Sequence, residues 1–334
     1  AKNVFLDKLL YGEGDSKRIY HLLLAKYILS QMNDKEQKEY HSRAVEVYRG
    51  KLAKAEEEQI RPDALAAMRL AEHVLAAEGK EAFVYAFAND CTKPLVNLGL
   101  LDAAIRFSER ALGVVEKESE EEAMVTGNLG LIYQTKGDLD QAEEMHKKSL
   151  EFNKKLGSLE GMANQYGNLG LTYRKRGELD TAEDMHKKSL EIEKKLGRLE
   201  GMADDYGNLG NIYNMRGDLD KAEKMYNKVL KIEEILGRID SIANAYGNLG
   251  LIYMQKGELD KAEDMNNKSL EIEKKLGRLE GMASQYGNLG VIYAQRGDIG
   301  KAKEYWEKAV GLYKKIGMPH MVEKVEGLIE GIEN

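Results

Sequence analysis

Two kinds of apolar stripe alternate along most of this chain. In one, Ala203, Tyr206, Leu209, Gly210 and Tyr213 return at the spacing of a helix face. In the other, Leu219, Ala222, Met225, Val229, Leu230 and Ile232 mark the buried side of a second helix. Gly217 separates the two and Gly237 closes the second, both where a helix end often needs the left-handed conformation. Asp218 follows the first of these glycines, suited to start the second helix by capping or through the helix dipole. The pattern predicts a helical hairpin.

That hairpin recurs with a strict period of 40 residues. The string GNLG stands at 127–130, 167–170, 207–210, 247–250 and 287–290, each followed by a tyrosine: Tyr133, Tyr173, Tyr213, Tyr253 and Tyr293. A glycine ends each first helix (Gly137, Gly177, Gly217, Gly257, Gly297), an acidic residue follows, and an alanine comes next (Ala142, Ala182, Ala222, Ala262, Ala302). The units that start at Gly167 and Gly247 share 31 of 40 residues. A glycine inside a helix costs about 1 kcal/mol relative to alanine, so a repeated one implies a packing or ligand reason. The second glycine of GNLG and the alanine of the second helix are expected to let two backbones approach. The first glycine is expected to leave room for a ligand beside the asparagine.

The pattern L-G-x-x-Y followed by G-[DE]-x-[DE]-x-A resembles the tetratricopeptide repeat (TPR). More narrowly, it is similar to the 40-residue subclass of Pins-like scaffolds, kinesin light chains and the sensor regions of prokaryotic signal-transduction ATPases, including A-x-x-x-H-x-x-x-L at Ala142–Leu150 and Ala182–Leu190. The resemblance covers 127–326 and implies an all-α fold, a right-handed α-solenoid of helix-turn-helix repeats. A worn unit precedes it, with Gly99, Asp102, Ala104, Phe107, Ala111 and Leu112 at the matching positions. The expected organisation is a divergent helical region at 1–82, a degenerate unit at 83–126, five full units at 127–318 and a capping helix at 319–334. Pro319 is suited to open that last helix, whose Val322, Val325, Leu328, Ile329 and Ile332 would close the apolar end of the stack. The stretches IYHLLLAKYILSQM and KEYHSRAVEVYRGKLAKA resemble the junction where a winged-helix segment passes into helical sensor repeats in signal-transduction ATPases. The absence of an initiator methionine at Ala1 is what an excised segment of a longer protein would show.

Composition narrows the function. A net charge of −7 argues against generic nucleic-acid binding, which needs a basic face. The single cysteine, Cys91, cannot form an internal disulfide and points to a reducing compartment, the cytoplasm. No apolar run is long enough for a membrane span. The six histidines show no metal-ligand spacing, and His146 and His186 share their position with Tyr226, Asn266 and Trp306, which suits packing. Paired carboxylates such as Asp138 and Asp140 recur with the repeat and belong to the helix start rather than to acid–base chemistry. No phosphate-loop motif is present, so neither catalysis nor a cofactor or metal is expected.

The resemblance places a ligand groove along the first helices. It assigns peptide binding to Asn128, Asn168, Asn208, Asn248 and Asn288, with Asn164, Asn244, Leu171, Asn211, Leu251, Gln134, Arg174, Lys175, Asn214 and Gln255 around them. A row of amides can pair with the backbone of an extended chain whatever its side chains; hydrogen bonding between helices within the fold is the competing role. The two closest units differ at nine positions, mostly in three clusters: Thr172 with Arg174–Arg176, His186 with Lys187, and Asp204 with Asp205. Groove variation over a constant framework would produce this, as would drift at exposed sites. Each first helix also ends in a basic residue (Lys136, Arg176, Arg216, Lys256, Arg296), which leads us to expect an acidic stretch in the partner. The expected role is a protein- or peptide-binding scaffold, with self-association left open. The alternative is the ligand-sensing region of a larger signal-transduction ATPase.

Overall fold

The computed structural model of the chain describes residues 33–57 and 92–333. Fourteen helices and no strand are found among them: α1 (Asp34–Glu57), α2 (Thr92–Asn97), α3 (Leu101–Leu112), α4 (Glu120–Lys136), α5 (Leu139–Leu156), α6 (Leu159–Arg176), α7 (Leu179–Leu196), α8 (Leu199–Arg216), α9 (Leu219–Leu236), α10 (Ile239–Gln255), α11 (Leu259–Leu276), α12 (Leu279–Gln295), α13 (Ile299–Lys315) and α14 (Pro319–Glu333). The fold is an all-α solenoid of helical hairpins. The chain divides into two compact units, residues 1–168 and 169–334. Much of the expected 1–82 region, part of the worn unit and Cys91 lie outside the described residues, and so does His21.

In the first unit, α4 packs along α5, and α3 leads into α4. Here Ala104, Phe107 and Ala111 of the worn repeat are buried with Val125, Leu129 and Ile132 of the first full one. Gly99 ends α2 with φ +72°, as the regular repeats do at Gly137 and Gly157. Asp138 caps α5 by accepting from the Gln141 N–H at 3.3 Å.

In the second unit the hairpins α8–α9, α10–α11 and α12–α13 stack through α9 on α10 and α11 on α12. Leu209, Ile212, Leu249, Ile252, Leu289 and Ile292 form the buried side of the first helices, and Ala222, Ala262 and Ala302 are completely buried on the second. Gly217 (φ +78°) and Gly237 (φ +68°) end helices in the left-handed region, where a side chain would be strained. The acidic residue after the first helix works unevenly. Asp298 caps α13 by accepting from the Lys301 N–H, whereas Glu178, Asp218 and Glu258 make no side-chain cap. Pro319 opens α14, and its Val322 and Val325 are buried against α13.

Candidate peptide-binding face

One stripe of each first helix faces away from the packing. On α8 it is Asp204, Asn208, Asn211 and Met215; on α10, Asn244, Asn248, Leu251 and Gln255; on α12, Ser284, Asn288, Val291 and Gln295. The spacing of four, three and four residues keeps each set on one side of its helix. The outer two of each set are exposed and the inner two half-buried. Leu171 and Lys175 continue the pattern at the end of α6, with Arg174 half-buried beside them. In the first unit the equivalents are Met124, Asn128, Leu131 and Thr135 on α4, and Asn164 and Asn168 on α6.

The asparagine row is not uniform. Among the described residues, the half-buried amides of Asn128, Asn208 and Asn248 make no side-chain hydrogen bond. Asn288 instead donates to Asn266 Oδ1 at 3.2 Å, so at this repeat the amide serves the fold. Asn211 accepts from the Tyr226 hydroxyl at 2.8 Å. Asn214 is half-buried, and its Oδ1 has no partner among the described residues. Gln134 is buried and donates to the Asn168 carbonyl at 3.3 Å, so it ties two repeats together and does not line an open face.

The glycines of GNLG act differently from expectation. A Cβ on Gly130 would lie 2.6 Å from the His146 ring, and one on Gly170 would lie 2.5 Å from His186 Nε2. The second glycine is therefore a notch for one large side chain of the second helix, filled next by Tyr226, Asn266 and Trp306. Backbone approach is not what it serves. The first glycine is also turned inward in two repeats: Gly127 and Gly247 face the Gln165 and Gln285 amides of the following helix.

The side chain in the notch then meets the next repeat. His146 Nδ1 lies 2.9 Å from Gln165 Oε1, and His186 Nδ1 lies 2.9 Å from Asp205 Oδ1. Trp306 instead turns back within its own hairpin, where Nε1 donates to the Gly287 carbonyl of α12 at 3.1 Å. Burial lowers the His146 pKa to about 4, against the opposing hydrogen bond of Gln165, so the ring is neutral. All three variable clusters thus belong in part to the interior, through Thr172, His186 and Asp205. His186 and Asp205 vary to Asn266 and Gln285 as members of a buried junction, while Asp204 alone of that cluster is exposed. The signal was present in the sequence as paired changes 19 residues apart.

The terminal basic residues are likewise engaged by the fold. Lys136 binds Asp102 at 2.8 Å. Arg216 bridges Asp180 (2.5 Å) and Glu183; Lys256 bridges Asp220 (2.8 Å) and Glu223 (2.7 Å). Arg296 bridges Asp260 and Glu263, both at 2.5 Å. The tyrosine of the same helix joins each of the last three clamps: Tyr213, Tyr253 and Tyr293 donate to Glu183, Glu223 and Glu263. Burial alone would raise the Glu183 carboxyl, but hydrogen bonds from Lys187, Tyr213 and Arg216 hold it at about 2. Burial and the bond to Glu223 push the Tyr253 hydroxyl up to about 12. The expectation of an acidic ligand therefore loses its main support, because these cations already neutralise carboxylates of the preceding repeat. Recurrence of Lys or Arg at 33 and 36 residues after Glu and Asp was the sequence signal.

Comparison with known proteins agrees with this architecture. Residues 95–246 match the MalT-like TPR region, and 241–315 match the tetratricopeptide repeat. The chain belongs to the tetratricopeptide-repeat proteins. No curated protein sequence matches it. Among solved structures it is similar to BtubC (BKLC) from P. vanneervenii, with a TM-score of 0.58 and 21% identity over 66% of this chain and 90% of that one. It is also similar to a signal transduction ATPase with numerous domains that carries a TPR sensor, from Pyrococcus horikoshii. That match has a TM-score of 0.65 and 19% identity over 96% of this chain and 49% of the other, so the chain spans about half of that protein. The apo form of the quorum sensor NprR from B. thuringiensis gives a TM-score of 0.61 and 16% identity, covering 86% of this chain and 80% of that one. At these identities the likeness is one of fold. No helix among the described residues is long and apolar enough to cross a membrane.

Proposed function

We propose that this chain is a binding scaffold that holds an extended segment of another protein along the outward stripes of its first helices. The supporting observation is the recurring asparagine whose half-buried amide has no partner among the described residues, at Asn128, Asn208 and Asn248. Such an amide both donates and accepts, so it can pair with the backbone of a chain of any sequence. On this reading the protein works by binding alone, without catalysis, cofactor or metal, and in a reducing compartment such as the cytoplasm.

The test is the double substitution N208A/N248A, with binding of a captured peptide and a thermal melt measured on the same sample. Each lost hydrogen bond is worth about 0.5–1.5 kcal/mol, so affinity should fall roughly 5- to 150-fold. Stability should hardly move, since alanine is the better helix former. A collapsed melt with binding per folded molecule retained makes the asparagines structural and removes the proposal.

A second reading is favoured by one observation. The signal transduction ATPase covers 96% of this chain, and the stretches at 19–32 and 38–55 resemble the junction of such proteins. The repeats would then sense a ligand for an ATPase domain. Measuring nucleotide binding by the full product of the gene, with and without the repeat ligand, discriminates the two.

A further inference from the structure

The residues of the outward stripe and the engagement of the neighbouring cations together define what kind of segment fits. We propose that the face carried by α8, α10 and α12 selects an uncharged, aliphatic-rich peptide in extended conformation; this rests on the peptide-binding reading above. Of the twelve stripe residues on these helices only Asp204 is charged. Met215 is 58% exposed, and Leu251 and Val291 are half-buried, so apolar side chains alternate with the amides of Asn208 and Asn248.

Charged ligands are disfavoured by the same geometry. The cations that end these three helices are not free for an acidic side chain, Lys256 being held between Asp220 and Glu223 at 2.8 and 2.7 Å, and Arg174 and Lys175 belong to α6, outside this face. Arg216 and Arg296 are held likewise. Recruiting any of them would strip the preceding repeat of its counter-charge. A basic side chain would find Asp204 on the stripe and otherwise only amides, a hydroxyl and aliphatic groups. Desolvating a charge against such a surface is unfavourable, and that penalty gives the selectivity. The amides supply main-chain pairing, and the aliphatic groups supply non-directional contact to alternate side chains. Helices α10 and α12 touch, and packed helices lie about 8–10 Å apart. With an extended rise of about 3.3 Å per residue, each repeat accommodates roughly three ligand residues.

The experiment uses the full chain and three pools of synthetic nine-residue peptides. One pool is neutral (Leu, Val, Ala, Ser, Thr, Asn); the second has Asp or Glu at three positions; the third has Lys or Arg there. Retention is measured by affinity selection and fluorescence polarisation at low and high salt, for the wild type and for N208A/N248A. The expected result is enrichment of the neutral pool by about tenfold or more, little changed by salt and reduced in the variant. If a charged pool is retained best and released by salt, the inference fails; the peptide-binding reading survives if the variant loses that pool. Retention of no pool, or retention unaffected by the two substitutions, overturns the binding face itself and the inference with it.

Discussion

Replacing His186 with asparagine probes whether each repeat junction is matched from within. The ring is fully buried, its Nδ1 is 2.9 Å from Asp205 Oδ1, and Asp205 is 3% exposed. Its second oxygen, Oδ2, already has no partner. H186N removes the donor and strands the carboxyl, which costs about 1–3 kcal/mol, rising toward 3–5 for an ionised group. D205Q should cost less than about 1 kcal/mol, because it recreates the His146–Gln165 junction, which keeps the same 2.9 Å separation. The double variant H186N/D205Q recreates the set at Asn266 and Gln285, where Asn266 donates to the Ala262 carbonyl and accepts from Asn288, and the one group without a partner among the described residues is a neutral amide oxygen, Gln285 Oε1, in place of a carboxyl. It should recover most of the loss, leaving a coupling energy of about 2 kcal/mol. Repeat arrays unfold in parts, so the urea midpoint should be joined by native-state hydrogen exchange of α7 and α8. There, 2 kcal/mol corresponds to about a 30-fold loss of protection. A double variant as unstable as H186N alone refutes the matched-junction reasoning.

Acid should weaken the fold through His146. Its folded pKa of about 4 lies below the ordinary 6.5, so the stabilisation is complete above pH 6.5 and is lost as pH falls toward 4. The unfolding midpoint should drop between pH 7 and 4.5, and H146N should flatten that slope; an equal slope in both proteins excludes the ring as the cause. K256M removes the bonds to Asp220 and Glu223 and should cost about 1 kcal/mol or less, with peptide affinity unchanged. Unchanged stability with weakened binding would return this lysine to the ligand. G170A brings a methyl to 2.5 Å from His186 Nε2 and should lower the melting temperature. Overpacking of about 1–3 kcal/mol outweighs the gain of about 1 kcal/mol in helix propensity, and a neutral melt shows that the ring can yield.

Much of the architecture was legible in the chain itself. The two apolar stripes, the left-handed glycines such as Gly217 and Gly237, and Pro319 at the head of the last helix are local features. Local backbone chemistry and helical periodicity determine them, and the 40-residue recurrence makes the same answer hold for each repeat. The outward stripe was partly legible as well, because Asn208 and Asn248 stand where helical spacing turns them from the core. What the tertiary structure decided was the use of every polar group that another repeat can reach. Asn288 and Gln134, chosen from sequence beside Asn208, are engaged by Asn266 and by the Asn168 carbonyl. The cations ending α8, α10 and α12 are bound by the preceding second helix, and His186 and Asp205 meet in the interior. A side chain's partner depends on which helices stack and at what distance. Residues 19, 33 or 36 apart become neighbours only through that packing, so their roles follow from the folded array and not from their own stretch of chain.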